Sequence, residues 1–279
     1  MDKNTLIGFL LIGIVLFAFS WFNRPTPEQL EAQRRYQDSI ARIELAKQAE
    51  MQLEDSKSTA DNSFDSLPDS ARAARLESNF GVFAAAMTGT DDVTVLENDL
   101  IELHISNKGG RISYARLKDY TTYDNKPVIL FEGKEASLDF TLVTATNRVL
   151  NTAELFFTPV KTQDPNQLIM RVNAGEGGSL DFIYTIKPDN YMVQFDIKGT
   201  GLNGVLAPST TALDMVWKQK IRQQEQGIKY ENRYTALYYK FLADGVEQLS
   251  ESKSEDKKVS GRLKWIAYKD KFFSTIMIA

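Results

Sequence analysis

Short apolar segments separated by turn-forming residues dominate the sequence from residue 93 onward, and they constrain the fold more than any other feature. The recurring segments are VTVLEN, LIELHIS, PVILFEG, LDFTLVTAT, AELFFTPV and LIMRVNAG, followed by the longer LDFIYTIKPDNYMVQFDIKG. In the last of these, KPDN at residues 187–190 predicts the turn of a hairpin. Residues 221–245 interrupt the pattern and favour a helix-containing excursion. Regularly spaced short strands are typical of a mainly β protein, here a large antiparallel β-sandwich, rather than of β-α-β units.

The segment SNKGGRI at residues 106–112 places two adjacent glycines, Gly109 and Gly110, after an alternating apolar strand. A phosphate-binding loop would need a helix N-terminus directly after the glycines, and the RISYARLKDY that follows has no helical apolar stripe. The spacing also lacks the G-x-G-x-x-G and GKS or GKT patterns of such loops. The segment therefore predicts a tight turn or bulge in which the glycines supply positive φ.

Charge and composition exclude several classes of protein. The formal net charge is −4 and the pI is about 5.3, so the chain lacks the excess of basic residues that binding to nucleic acid requires. No nucleic-acid partner is therefore predicted. The absence of cysteine excludes disulfides, a thiolate nucleophile and a zinc knuckle. At 279 residues and 43% hydrophobic composition, the chain can bury one large domain or two small ones.

No residue pattern places a catalytic centre, so no catalytic, cofactor-binding or metal-binding residue and no cofactor is predicted, and the chain is not expected to be an enzyme. His104 is the only histidine, which excludes a multi-histidine metal site. It shares a strand face with Glu102 and Ser106, which favours a partly exposed polar face over a catalytic triad. The pair Asp91 and Asp92 lies beside a strand start, and sequence alone does not bring two carboxylates together as a glycosidase needs.

The N-terminus carries a long apolar run with no charged residue in residues 4–23. Its length approaches the roughly 30 Å of a bilayer core, which predicts a transmembrane anchor. A cleaved signal peptide is the alternative, since Ala18 and Ser20 form a weak cleavage site. Basic residues lie mainly after the run, and this distribution by itself mildly favours a cytoplasmic location for the residues that follow the run.

Residues 24–80 have a different composition and predict a polar linker that is partly helical and partly disordered. The first part is rich in Glu, Gln, Ala, Arg and Lys, with Pro27 placed to open a helix. The part from residue 58 reads as a mostly disordered tether. Residues 81–279 form the predicted β-domain. Its last segment is apolar on both faces, so we expect a truncation at residue 279.

Two motifs in the β-domain resemble those of the YidC family of bacterial membrane protein insertases. The first is VTVLENDLIELHISNKGGRISYARLKDYTTYDNKPVILF, with the matching residues Ser106, Gly109, Gly110, Arg111, Ile112, Lys118, Asp119 and Tyr120. The second is WIAYKDKFFSTIMIA, with Trp265, Ala267, Lys269, Phe272 and Phe273. Anchor, linker and β-domain follow the family's order, and the opening residues are particularly similar to members from Bacteroidetes-type bacteria.

The resemblance implies a galactose-mutarotase-like β-supersandwich in the periplasm, an N-terminus in the cytoplasm and an anchor in the bacterial inner membrane. It implies the N-terminal portion of an insertase and chaperone that works alone or with the Sec translocon. The implied partners are nascent membrane proteins, Sec translocon components and the lipid bilayer. Two alternatives are a membrane-anchored carbohydrate-binding or carbohydrate-active β-sandwich protein and a structural envelope tether.

Overall fold

The computed structural model describes residues 68–175, 177–208, 212–243 and 245–279. These residues belong to one compact unit. The predicted anchor at residues 4–23 and most of the predicted linker at residues 24–80 lie outside the described residues. Within the described part, no helix combines the length and the apolar character that crossing a membrane requires.

A helix precedes the strands and replaces part of the expected disordered tether. Helix α1 (Asp69–Phe80) follows Pro68, has Asp69 in its first turn and buries none of its residues. The expectation of a mostly disordered segment is therefore wrong for this stretch. Its physical basis is local, because the segment is rich in alanine and arginine, which have high helix propensity. A 3₁₀ helix (Gly81–Met87) follows and buries Phe83 and Ala86.

Fifteen strands and one further short helix form the rest of the described chain. The strands are β1 (Val93–Glu97), β2 (Ile101–Ser106), β3 (Ile112–Thr121), β4 (Pro127–Glu132), β5 (Ala136–Val143), β6 (Val149–Asn151), β7 (Thr158–Val160), β8 (Gln167–Asn173), β9 (Ser179–Ile186), β10 (Val193–Thr200), β11 (Asp214–Gln219), β12 (Ala236–Phe241), β13 (Val246–Ser250), β14 (Leu263–Lys269) and β15 (Ser274–Ile278). Helix α2 (Ile228–Glu231) lies between β11 and β12. Two further 3₁₀ turns are Gly133–Glu135 and Thr152–Glu154.

The strands form four antiparallel sheets, which confirms the predicted mainly β, antiparallel class. The strand orders are β1-β2-β3-β4, β11-β5-β6, β10-β9-β8-β7 and β13-β12-β14-β15. The KPDN hairpin is confirmed, since Ile186 of β9 pairs with Val193 of β10 and Asp189 in the connection has a positive φ of 51°. The predicted strand at residues 153–160 is shorter than expected, because its first part forms the 3₁₀ turn Thr152–Glu154.

The core lies between the first three sheets. Phe140 of β5 packs on Phe182 of β9 with ring centroids 5.5 Å apart, and Phe182 also contacts Phe157 at 4.7 Å and Phe195 of β10 at 5.4 Å. Phe182 is 1% exposed. These rings bury large apolar areas where the β5 and β9 sheets meet, so they are a main source of stability for the packing of these sheets.

Candidate functional site

The double glycine of the first motif forms a turn, and the phosphate-loop alternative is wrong. Gly109 and Gly110 have φ of 80° and 60°, and the chain continues into strand β3 instead of a helix. The hydroxyl of Tyr184 donates a hydrogen bond to the Gly110 carbonyl over 2.7 Å. Asp91 accepts hydrogen bonds from the Ser106 hydroxyl and, at 3.2 Å, from the Lys108 amide. The first motif therefore shapes a buried turn.

The charged residues of the first motif also make structural contacts. The Nη1 of Arg111 donates to the carbonyls of Ala136, at 2.6 Å, and Gly133, at 3.2 Å. The Nζ of Lys118 lies 2.5 Å from a carboxylate oxygen of Glu97. Arg111 thus joins the turn to the connection between β4 and β5, and Lys118 joins β3 to β1.

His104 lies on a half-buried polar face of β2. Its Nε2 is 2.8 Å from Glu102 Oε1, and its ring stacks on Tyr114 with centroids 4.3 Å apart. The hydrogen bond from His104 is the main reason that the pKa of Glu102 lies below its usual value. Ser106, predicted to lie on this partly exposed face, is buried beside Asp91, so the exposed part of the face is limited to Glu102 and His104.

The two motifs meet in the folded chain. Tyr120 of the first motif packs edge-on against Phe273 of the second, with ring centroids 5.3 Å apart. Buried Asp270 shapes the turn that presents Phe273, since its Oδ1 accepts hydrogen bonds from the amides of Phe272, at 2.8 Å, and Phe273, at 2.6 Å. Because Tyr120 and Phe273 are far apart in the sequence, local patterns could not predict this ring contact. It forms only because β3 and the β14–β15 turn lie close together in the fold.

Further aromatic side chains, most of them exposed, adjoin this contact or its neighbour Phe272 in the chain, and we term the group the aromatic surface. It consists of Tyr120, Tyr191, Tyr230, Tyr234, Lys271, Phe272 and Phe273. Tyr191 lies next to Tyr120, while Lys271 Nζ lies 4.4 Å from the Phe272 ring centroid and 4.7 Å from that of Tyr230. Tyr230 and Tyr234 have ring centroids 5.7 Å apart. The two motifs contain Tyr120, Phe272 and Phe273 among their matching residues but not the rest, whose proximity depends on tertiary structure.

A groove of about 490 Å³ lies beside α2. Its lining combines apolar side chains, among them Ile228, Leu237 and Leu249, with polar ones such as Asn232. Tyr268 also lines it, and its hydroxyl donates to the Trp217 carbonyl over 3.0 Å. The mixed lining suits an extended polypeptide better than a fully apolar ligand.

The charged groups at the groove are held by the fold. The Glu231 carboxylate is 2% exposed and accepts hydrogen bonds from the amides of Gln224, at 2.9 Å, and Glu225, at 3.3 Å. Arg222 donates to Glu135 at 2.6 Å and to Glu132 at 3.0 Å. Burial is the largest single influence on the pKa of Glu135 and raises it, but the hydrogen bond and charge of Arg222, the Glu132 amide and the charge of Lys220 together outweigh burial, so the pKa is lowered. These groups therefore position the groove instead of forming an acid–base pair.

Substitution of Asp270 by asparagine is expected to change the pH dependence of stability. Burial raises the pKa of the Asp270 carboxyl, although the amides of Phe273 and Phe272 oppose this. The group therefore favours folding most below the ordinary Asp pKa of about 3.9, and this contribution is lost as pH rises through the raised pKa. Asp270→Asn removes the titration but keeps an oxygen acceptor. We expect the variant to gain unfolding free energy relative to the parent chain from about pH 4 toward neutrality.

Urea unfolding at several pH values measures this difference. Asp270→Ala is the control, because it removes the acceptor of both amide hydrogen bonds and should be less stable than the parent chain at every pH. Parallel pH profiles for the parent chain and Asp270→Asn would show that Asp270 titrates normally, against the expectation.

Comparison with known proteins decides the family. A family model described as the YidC periplasmic domain matches residues 93–279, which contain both motifs and all fifteen described strands. The chain belongs to the YidC family. The resemblance noted from the two motifs is thereby confirmed.

Relatives named membrane protein insertase YidC cover the whole chain. The one from Parabacteroides distasonis is 68% identical over 280 residues, covering 100% of this chain and 44% of the relative. The relatives from Bacteroides fragilis and Porphyromonas gingivalis are 42% and 39% identical over 279 residues, covering 100% of this chain and 43% and 44% of their own lengths. The chain thus spans less than half the length of these YidC relatives. They are named as insertases, in agreement with the expectation of a non-enzymatic chain.

Proposed function

We propose that this chain is the N-terminal portion of a membrane protein insertase and chaperone that assists insertion and folding of inner-membrane proteins. The observation that carries the proposal is the 68% identity to a membrane protein insertase YidC over the whole chain. The proposal favours the insertase hypothesis over a carbohydrate-active protein or an envelope tether. Its partners are nascent membrane proteins and, in one mode of action, components of the Sec translocon.

The proposed arrangement follows the organisation read from the sequence. Residues 4–23 anchor the chain in the bacterial inner membrane, with the N-terminus in the cytoplasm. Residues 24–80 link the anchor to a periplasmic domain at residues 81–279, whose fold is a galactose-mutarotase-like supersandwich. The match of residues 93–279 to the YidC periplasmic domain supports the compartment of the β-domain.

Within this function, the β-domain supplies a binding surface and does not catalyse the formation or cleavage of covalent bonds. Among the described residues, the groove beside α2 and the aromatic surface both show the exposed mixed chemistry that protein contacts use. By contrast, His104 is held by Glu102 and Tyr114 on a strand face. We therefore assign His104 to local packing.

Insertion of a reporter membrane protein tests this function. In a strain depleted of its own insertase, the gene that encodes this chain should restore insertion. His104→Ala should retain nearly full insertion per molecule of protein, because the change removes one half-buried hydrogen bond to Glu102, which contributes about 1 kcal/mol to stability. Abundance is measured in parallel by immunoblotting.

Two outcomes would contradict these assignments. Failure of the parent gene to restore insertion at normal abundance would refute the insertase proposal. Loss of insertion by His104→Ala at normal abundance would show instead that the polar face of β2 takes a direct part in the function.

A further inference from the structure

Several rings of the aromatic surface are exposed to solvent and are not packed in the core of the described chain. Phe272 is 62% exposed and Tyr230 is 51% exposed, and both rings contact Lys271 instead of the core. Tyr120, Tyr191 and Tyr234 are also exposed. Contiguous exposed aromatic patches mark sites of interaction with a partner or a membrane.

The cations of this surface lack the carboxylate partners found elsewhere in the domain. Lys229, Arg233 and Lys271 make no ion pair with any of the described residues, whereas Arg222 and Lys118 are paired. Acids do lie close by: Asp119 acts on Tyr191 and Glu225 on Asp270, while Asp270 and Glu231 themselves are buried and held by backbone amides. Lys271 therefore lies unpaired between two of these rings, and Lys229 and Arg233 adjoin Tyr230 and Tyr234 in the chain, although the whole chain has a net charge of −4.

Tyrosine rings and unpaired cations suit the headgroup region of a lipid bilayer. A tyrosine ring places its apolar body toward the acyl chains and its hydroxyl in water, and Lys and Arg attract lipid phosphates. We propose that the aromatic surface docks on the headgroups of an anionic lipid bilayer. This inference rests on the proposed function, which holds the domain near a membrane.

The unpaired cations favour lipid over an apolar client segment as the occupant. Covering Lys271 and Arg233 with an apolar segment would remove water from two charges without supplying a counter-charge, which is unfavourable. Lipid phosphates supply that counter-charge. The groove beside α2, with its mixed lining, remains the better site for an extended polypeptide.

Because the chain contains no cysteine, a single introduced cysteine can be labelled uniquely with a fluorophore. Met192→Cys reports on the surface, since Met192 is 57% exposed and follows Tyr191. Val82→Cys is the control, since Val82 is 45% exposed and packs at Gly175, in the β8–β9 turn. That turn lies at the opposite end of the eight-residue strand β9 from Met192, roughly 25 Å away at about 3.3 Å per residue.

The experiment uses the full 279-residue chain reconstituted in nanodiscs of phosphatidylcholine, with and without phosphatidylglycerol, and a lipid-borne quencher in the headgroup region. We expect quenching of the Met192→Cys label, but not of the Val82→Cys label, to rise with phosphatidylglycerol and fall with salt. Combining Lys271→Gln with Arg233→Gln should weaken docking more than tenfold, at roughly fivefold per cation. Tryptophan fluorescence verifies that these exposed substitutions leave the fold intact.

Equal quenching at both positions would overturn the proposal. Quenching of the Met192→Cys label that changes neither with phosphatidylglycerol nor with the two cation substitutions would also overturn it. Protection of that label by an apolar peptide, without lipid quenching, would identify a client site instead. The assay contains no insertion substrate. If the chain docks while the gene that encodes it fails to restore insertion, the proposed function is contradicted and the docking inference still stands.

Discussion

Replacing Gly110 by alanine is expected to lower the free energy of unfolding by about 2–5 kcal/mol. Strain of the left-handed backbone contributes roughly 1–2 kcal/mol of this loss, and overpacking against the Phe157 ring contributes roughly 1–3 kcal/mol. Gly110 has a φ of 60°, and a Cβ there would lie 2.7 Å from the Phe157 ring. Phe157 is 2% exposed and packs on Phe182, so it has little room to move. Urea unfolding followed by tryptophan fluorescence measures the loss.

Gly133→Ala is the matched control for this substitution. Gly133 has a nearly identical φ of 62°, but an added Cβ there would meet nothing within 4 Å. It should therefore lose only the backbone contribution, about 1–2 kcal/mol. Equal losses at Gly110 and Gly133 would show that the Phe157 ring yields freely and that the turn does not depend on close packing.

Replacing Phe182 by alanine is expected to lower the free energy of unfolding by about 3–5 kcal/mol, the usual cost of removing a buried phenylalanine ring. Phe182 is 1% exposed and contacts Phe140, Phe157 and Phe195. Its loss leaves a cavity where the β5 and β9 sheets meet. The shift in the urea midpoint at constant m-value measures the effect.

Phe272→Ala makes the same chemical change at an exposed position and serves as the control. Phe272 is 62% exposed, so its removal should change stability by no more than about 0.5 kcal/mol. A small loss at Phe182, comparable to that at Phe272, would mean that the aromatic cluster is not the main contact between these sheets.

Local sequence patterns determined most of the strands and the key turn. In β2, Ile101, Leu103 and Ile105 are buried and alternate with half-buried Glu102 and His104, as the alternating pattern predicts. This follows because side chains on a strand alternate between faces. The adjacent glycines of SNKGGRI likewise predicted positive φ, since glycine adopts it with little strain. The motifs on either side of that turn were sufficient to indicate the family.

Only the tertiary structure decided which strands are neighbours and which side chains form the candidate site. No local pattern shows that the partner of β11 is β5, because five other strands lie between them along the chain. The meeting of Tyr120 with Phe273, and of Lys271 with Tyr230, depends in the same way on how distant segments pack. An alternating pattern shows which side chains of a strand are buried, but it does not show which residues of other strands cover them. By itself, therefore, the sequence determined the β class, the glycine turn and the family motifs, whereas sheet order and the aromatic surface came from long-range packing.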